Sequence, residues 1–283
     1  MSFRVITRNP VTACLYVTLQ FEQDLSLSFE MTFLFYNSNS PNNHTCYHSF
    51  KIFRFAAMEH VLDNPAWNAL MTGNKHLSLG SEEVKFFDEQ TSPFAGINEY
   101  TEEGFQQLYN LYSGQRPKVV ILKDEIAIPQ PWVTLKHMKC LQMIYGSGEA
   151  PIAHQSGSII PLKSEHVPQM LELTTLTNPG PFALNTIAFG HYSGIFDGSK
   201  LVAMAGQRMN PLPYAEISAV CTHPDYTGKG YAKQLLLQQV NRIIIAGGVP
   251  FLHVLDHNER AIKVYESLGF ETRTELHFYV IQK

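Results

Sequence analysis

Residues 220–248, VCTHPDYTGKGYAKQLLLQQVNRIIIAGG, leave fewer folds open than any other stretch of this 283-residue chain. The apolar run YAEISAVCTH, whose end they contain, reads as a strand. Beyond Gly228 and Gly230, the residues Ala232, Leu235, Leu236, Val240, Ile243 and Ile244 recur at three- and four-residue steps, which gives one buried stripe on a helix. Gly247 and Gly248 then end that helix. The order is strand, glycine turn, packed helix. The first N–H groups of such a helix have no partner within it, and together with the helix dipole they attract an anion. Glycine lets a phosphate approach where a Cβ would block it, and Lys229 and Lys233 add positive charge. A lone G-x-G is equally compatible with a tight turn. The G-x-x-x-x-G-K-[ST] loop is absent, and Tyr231-Ala232 stand where a dinucleotide fingerprint continues toward its third glycine.

Elements alternate around this block. GSIIPLKSEHVPQMLELTTLT reads strand, turn, helix, with Ser164 as the expected N-cap and NPGP as the stop. SGIFDGSKLVAMAGQRM reads as a hairpin turning at Asp197-Gly198. PFLHVLDHN is a strand and loop, NERAIKVYESLGF a helix, and TELHFYVIQK a closing strand. The fold class is α/β (α+β): a mixed central sheet with helices on both faces, preceded by a smaller α/β domain. Four segments are expected. Residues 1–57 form a weakly patterned leader outside the fold, with Met58 as the functional start. Residues 58–146 form an α/β domain, 147–157 a Gly/Ser/Pro-rich linker, and 158–283 the domain that holds the glycine block. Within 58–146, MEHVLDNPAWNAL opens a helix and EEGFQQLYNLY is a second, with Phe105, Leu108, Tyr109 and Tyr112 on one face. PKVVILKD is a buried strand, and WVTLKHMKCLQMIY fits strand or helix.

The block V-x-x-x-P-x-x-x-G-x-G-x-A, followed after one strand by N-x-x-A-x-x-x-Y-x-x-x-G-F, resembles the GNAT superfamily of acyl-CoA N-acyltransferases. Val220, Pro224, Gly228, Gly230, Ala232, Asn258, Ala261, Tyr265, Gly269 and Phe270 carry the resemblance, which covers residues 159–283. The preceding domain is similar to the degenerate first half of the glycine N-acyltransferase-like branch. The resemblance implies acetyl transfer from acetyl-CoA, as co-substrate, to a primary amine by direct attack. Amides of residues 228–232, including Lys229 and Tyr231, would hold the pyrophosphate. Main-chain groups of Val220 and Thr222 would pair with the pantetheine arm, and Asn258 would contact the cofactor near its thiol. Tyr265 would protonate the leaving thiolate. Glu216 is the candidate base, sharing a strand face with Ser218, Val220 and Thr222 by two-residue alternation. Asp225 and Thr227 depart from the family, which favours amide or basic side chains there; weaker cofactor binding is expected. A non-catalytic acyl-CoA-binding sensor or scaffold is the alternative, and a generic nucleotide-binding module a third reading.

Composition narrows the partners. Hydrophobic residues are 45% and charged residues 16%, an ordinary globular balance, and the net charge of -4 argues against binding driven by nucleic-acid phosphates. The expected partner is a small-molecule or peptide amine, with no nucleic acid and no membrane; the oligomeric state stays open. Cys14, Cys46, Cys140 and Cys221 are scattered without C-x-x-C spacing, so no metal is expected and a reducing, cytoplasmic setting fits. Cys221 has no His/Asp arrangement to make it a nucleophile. His253 and His257 would share a face only on a helix, and this stretch reads as strand and loop, so structural roles are expected. His223 is expected to pack at the strand end. Asn43-His44-Thr45 has the sequon pattern.

Overall fold

The computed structural model describes residues 60–146 and 159–283, together with the backbone of four strands near the N-terminus. The chain divides into two units, Met1–His60 and Val61–Lys283. The first contains β1 (Arg4–Ile6), β2 (Ala13–Leu19), β3 (Phe29–Phe35) and β4 (Cys46–Lys51), paired in that order as an antiparallel sheet. The linker expected over 147–157, the sequon, and the side chains of Cys14 and Cys46 lie outside the described residues.

The second unit is built on an eight-stranded mixed sheet. Its strands are β8 (Lys118–Leu122), β9 (Val133–Tyr145), β10 (Ile159–Pro161), β11 (Ser193–Asp197), β12 (Lys200–Gln207), β13 (Tyr214–Thr222), β14 (Val249–Leu255) and β15 (Phe270–Gln282). Their order is β10-β11-β12-β13-β14-β9-β15-β8. A small sheet of β5 (Leu79–Gly80), β6 (Val84–Phe86) and β7 (Ala95–Ile97) stands beside it. This order corrects the expected boundary at 146. Segment 58–146 supplies two strands to the same sheet, and β9 lies between β14 and β15, bonded to both. Without β9, the chain after residue 158 would leave facing edges of β14 and β15 with unpaired N–H and C=O groups. Of WVTLKHMKCLQMIY, all but Trp132 is therefore strand, 13 residues long, paired with β15 from Tyr145↔Phe270 to Val133↔Gln282.

Helices cover both faces. On one, α1 (Pro65–Met71) and α3 (Val167–Thr177) bury Ala66, Leu70, Met170 and Leu173 against Cys140, Met204, Cys221, Leu276 and Phe278. On the other, α4 (Tyr231–Ile245) and α5 (Glu259–Glu266) pack over Ile217, Leu252, Val254 and Phe270. The helix α2 (Glu102–Leu111) packs Phe105, Leu108 and the adjoining Tyr112 against Val120, Leu122 and Tyr279, while Tyr109 only flanks them. Local signals hold with small shifts. The first helix is a 3-10 turn (Val61–Asp63) followed by a short α1 with Pro65 at its start. Ser164 opens a 3-10 turn rather than capping α3. Gly198 takes a left-handed φ of 57° at the β11–β12 turn, and Gly247 follows the α4 C-cap at 79°.

Candidate active site

The parallel pairing of β13 with β14 covers only Tyr214↔Val249, Ala215↔Pro250 and Glu216↔Phe251. Past Glu216 the two strands part. The edge of β14 away from β13 stays bonded to β9 as far as Leu255↔Cys140, and β13 stays bonded to β12 as far as Thr222↔Ala203. A cleft therefore opens between two strands that each keep their outer partner. His223 N–H donates to Val202 O at 2.8 Å, on the β12 side. By alternation, the main-chain groups of Val220 and Thr222 face the cleft.

A bulge marks the opening. Ser218 pairs with Gly206 and Cys221 with Met204, so two residues of β13 oppose one of β12. Ala219 sits there at φ 52°, a left-handed conformation that costs a non-glycine residue about 1 kcal/mol. The bulge shifts the side-chain alternation and corrects the face expected for Glu216. Val220 packs with Ile217 under α4 and α5, whereas Glu216 turns to the opposite face. Nothing in YAEISAVCTH advertises the bulge, because it falls on an alanine rather than a glycine.

Glu216 is fully buried and locked. Arg208 donates to both of its oxygens at 2.9 and 2.5 Å, Met209 N–H reaches it at 3.3 Å, and His253 Nδ1 lies 2.7 Å away. Burial pushes its carboxyl up, but the Arg208 guanidinium and His253 outweigh that and hold it at about 2. A carboxylate so held does not take a proton from an amine near neutral pH. The base role expected for Glu216 is therefore withdrawn on geometry and charge. Its network runs on across the sheet: His253 Nε2 meets Gln142 Nε2 at 3.0 Å, Arg273 Nε donates to Gln142 Oε1 at 2.6 Å, and Arg273 pairs with Asp63 at 2.5 Å. None of these partners is visible from spacing, since they come from five separate segments.

At the other end of the cleft stands the glycine turn. Gly228 and Gly230 have φ of 78° and 77°, and Gly230 is the N-cap of α4. A Cβ on Gly228 would meet nothing within 4 Å, and one on Gly230 only Gln234 Nε2 at 3.9 Å. The space before the first turn of α4 is thus open, and the N–H groups of residues 231–233 face it without intrahelical acceptors. Thr222, beside it, has a buried hydroxyl with no partner. Lys229 Nζ lies 4.4 Å from the Tyr226 ring, Lys200 Nζ lies 5.8 Å from it, and the Tyr226 hydroxyl donates to Asp197 at 2.6 Å. Asp225 is exposed and sits 3.7 Å from His223. The two lysines stand where Asp225 and Thr227 bring no positive charge. These features fit a pyrophosphate with a peptide-like arm.

Tyr265 shares the cluster of Ile217, Val220, Leu252 and Val254 that floors the cleft, with its ring 6.1 Å from that of Phe270. Burial raises its hydroxyl above the ordinary range, so it stays protonated. Asn258 caps α5, its side-chain oxygen accepting from Ala261 N–H at 3.2 Å; its amide nitrogen is the part left for a ligand. Burial pushes the Cys221 thiol up to about 11, and His257 Nδ1 lies 2.8 Å from Asp256 Oδ1.

The mixed sheet with its parting parallel pair and glycine-started helix is an α/β fold, and the comparisons with known proteins say which family shares it. The family model for FR47-like protein matches residues 192–279. A solved structure of a GNAT-family protein from Novosphingobium aromaticivorans DSM 12444 is 34% identical, with a TM-score of 0.74 over 80% of this chain and 99% of that one. The chain belongs to the GNAT family. It is also similar to the N-alpha-acetyltransferase RimI of Mycobacterium tuberculosis (strain ATCC 25618 / H37Rv), 34% identical over 85 residues, which are 29% of this chain and 52% of that protein. The chain spans about half the length, or less, of the curated relatives it matches. The GCN5-related N-acetyltransferase from Kribbella flavida shares the fold, at 14% identity and a TM-score of 0.52 over 76% of this chain and 95% of that one.

Proposed function

We propose that this protein transfers an acetyl group from acetyl-CoA to a primary amine by direct attack. The observation that carries the reading is the parting of β13 and β14 beyond Glu216, next to an open left-handed glycine pair at the start of α4. In this reading the amides of residues 228–232, with Lys229, hold the pyrophosphate. Main-chain groups of Val220 and Thr222 line the arm as an added strand would, and the Val220 N–H polarises the thioester carbonyl. The amine lone pair attacks that carbonyl carbon, the C–S bond breaks, and the departing sulfur takes the Tyr265 proton. The attacking nitrogen loses its extra proton as the amide forms, and that proton, passed through water, restores the Tyr265 hydroxyl. With Glu216 tied to Arg208, the amine enters as its free base.

The test is a panel of primary amines with acetyl-CoA, following thiol release. Turnover with at least one amine supports transfer; tight CoA binding with no thiol release from any amine would favour a non-catalytic acyl-CoA sensor instead.

A further inference from the structure

The cleft between β13 and β14 has a closed end, and the side chains there bear on which acyl group a donor can carry. The last pair joining the two strands is Glu216↔Phe251. Ile217 and Leu252 are the next residues along each strand, 3% and 2% exposed, and both belong to the cluster under α4 and α5. On the opposite face, His253 Nδ1 lies 2.7 Å from Glu216 Oε1, and both of these side chains are buried. The fork is thus plugged twice: by two aliphatic side chains on one face and by a carboxylate–imidazole bridge on the other. Arg208 holds the carboxylate and Gln142 the imidazole. The bridge cannot swing aside without stripping a buried charge of its partners.

Direction follows from the two ends of the cleft. With the pyrophosphate at Gly228 and Gly230 and the arm passing Thr222 and then Val220, an acyl group on the thiol points on toward the fork. An arm lying between the strands as a third strand needs two strand spacings, about 10 Å, whereas one spacing, about 5 Å, is left at Glu216↔Phe251. The gap therefore loses about half its width between Val220 and Glu216. The bulge at Ala219 shortens that stretch further. A methyl beside the thioester carbonyl stays in the wide part. Each further methylene enters the narrow part and presses on side chains that are already close-packed, and a packed core resists added volume.

We infer that Ile217 and Leu252, backed by the Glu216–His253 bridge, set the acyl-chain limit of the donor: acyl-CoA thioesters of two or three carbons enter, and longer chains are refused. This limit rests on the acyl-CoA reading of the cleft and names the side chains that measure the acyl group.

The experiment is calorimetric titration of the full chain with CoA and with acetyl-, propionyl-, butyryl- and hexanoyl-CoA. Acetyl- and propionyl-CoA should bind within about three-fold of each other, and hexanoyl-CoA about ten-fold more weakly or worse, as overpacking requires. A roomy apolar pocket would do the opposite and gain roughly four-fold per methylene. The sign of the trend therefore decides. Ile217→Ala and Leu252→Ala remove the plug and should bring hexanoyl-CoA to the affinity of acetyl-CoA or beyond. Ile217→Val takes away a single methylene, keeps the core nearly filled, and should narrow the difference between acetyl- and butyryl-CoA even where the larger cuts unfold the chain. Ile243→Val, in the same cluster but on α4, should keep the wild-type trend, which separates room at the fork from general loosening. Hexanoyl-CoA binding the wild type as tightly as acetyl-CoA overturns the inference. So does a wild-type trend in every variant at 217 and 252, or the same change in Ile243→Val. Absence of binding by CoA itself is a different result: it removes the cofactor reading, and the acyl limit with it.

Discussion

Glu216 shows how one residue can sit on the expected strand and do something else. Its charge is held by Arg208 and His253 inside the sheet. Removing that charge with Glu216→Gln leaves a buried guanidinium without its partner, and a loss of about 3–5 kcal/mol is expected in denaturant unfolding. The folded carboxyl titrates at about 2, below its unfolded value. Its contribution is therefore fully present above the ordinary carboxylate range and is lost as pH falls through the folded value. Thermal midpoints of the wild type should fall over that acid window, and Glu216→Gln should flatten this dependence. Tyr265 belongs to the same scale; its ring packs against the cluster of Ile217, Leu252, Val254 and Phe270. Tyr265→Phe should lower turnover about 100-fold while CoA affinity stays unchanged, read by steady-state kinetics beside a CoA titration. If the amine enters as free base, kcat/KM should rise with pH up to the pKa of the amine used, so that changing the amine moves the limb. A limb fixed in position across amines would restore an enzymic base.

Among the elements, α4 and its glycines were the most legible. The stripe from Ala232 to Ile244 and the stop at Gly247 are local facts, and the helix runs Tyr231–Ile245 as they require. At Gly228 and Gly230 the left-handed φ, rather than crowding by the protein, demands glycine. Gly228→Ala should therefore cost about 1 kcal/mol of stability. Its effect on CoA binding should be larger, because the added methyl stands in the space where a phosphate would approach the amides. Equal CoA affinity in Gly228→Ala and wild type would remove this turn from the cofactor site. The bulge at Ala219 was not legible. It follows from fitting β13 between a bonded β12 and a β14 that diverges, which no local pattern in YAEISAVCTH records.

At the scale of the molecule, the sheet joins what the sequence seemed to separate. The Gly/Ser/Pro-rich stretch near residue 150 reads as a linker, yet β8 and β9 before it and β10 to β15 after it form one layer. A chain cut between 146 and 159 should therefore give two pieces that do not fold alone. Each piece, expressed separately, should lack a cooperative thermal transition, and mixing them should restore one. A cooperative transition in 159–283 alone would show that β14 and β15 can close without β9.

The sequence by itself determined the strand–glycine–helix block, the second block around Tyr265 and the mixed α/β class, because helix stripes, turns and caps act between neighbours. Only the tertiary structure decided that β9 fills the gap between β14 and β15, that Glu216 turns away from the cleft, and that Arg208, His253, Gln142, Arg273 and Asp63 join it. These depend on which distant segments share a sheet face and on where a bulge resets alternation. Buried hydrogen bonds and charges must find partners wherever the fold brings them, and chain distance carries no record of that.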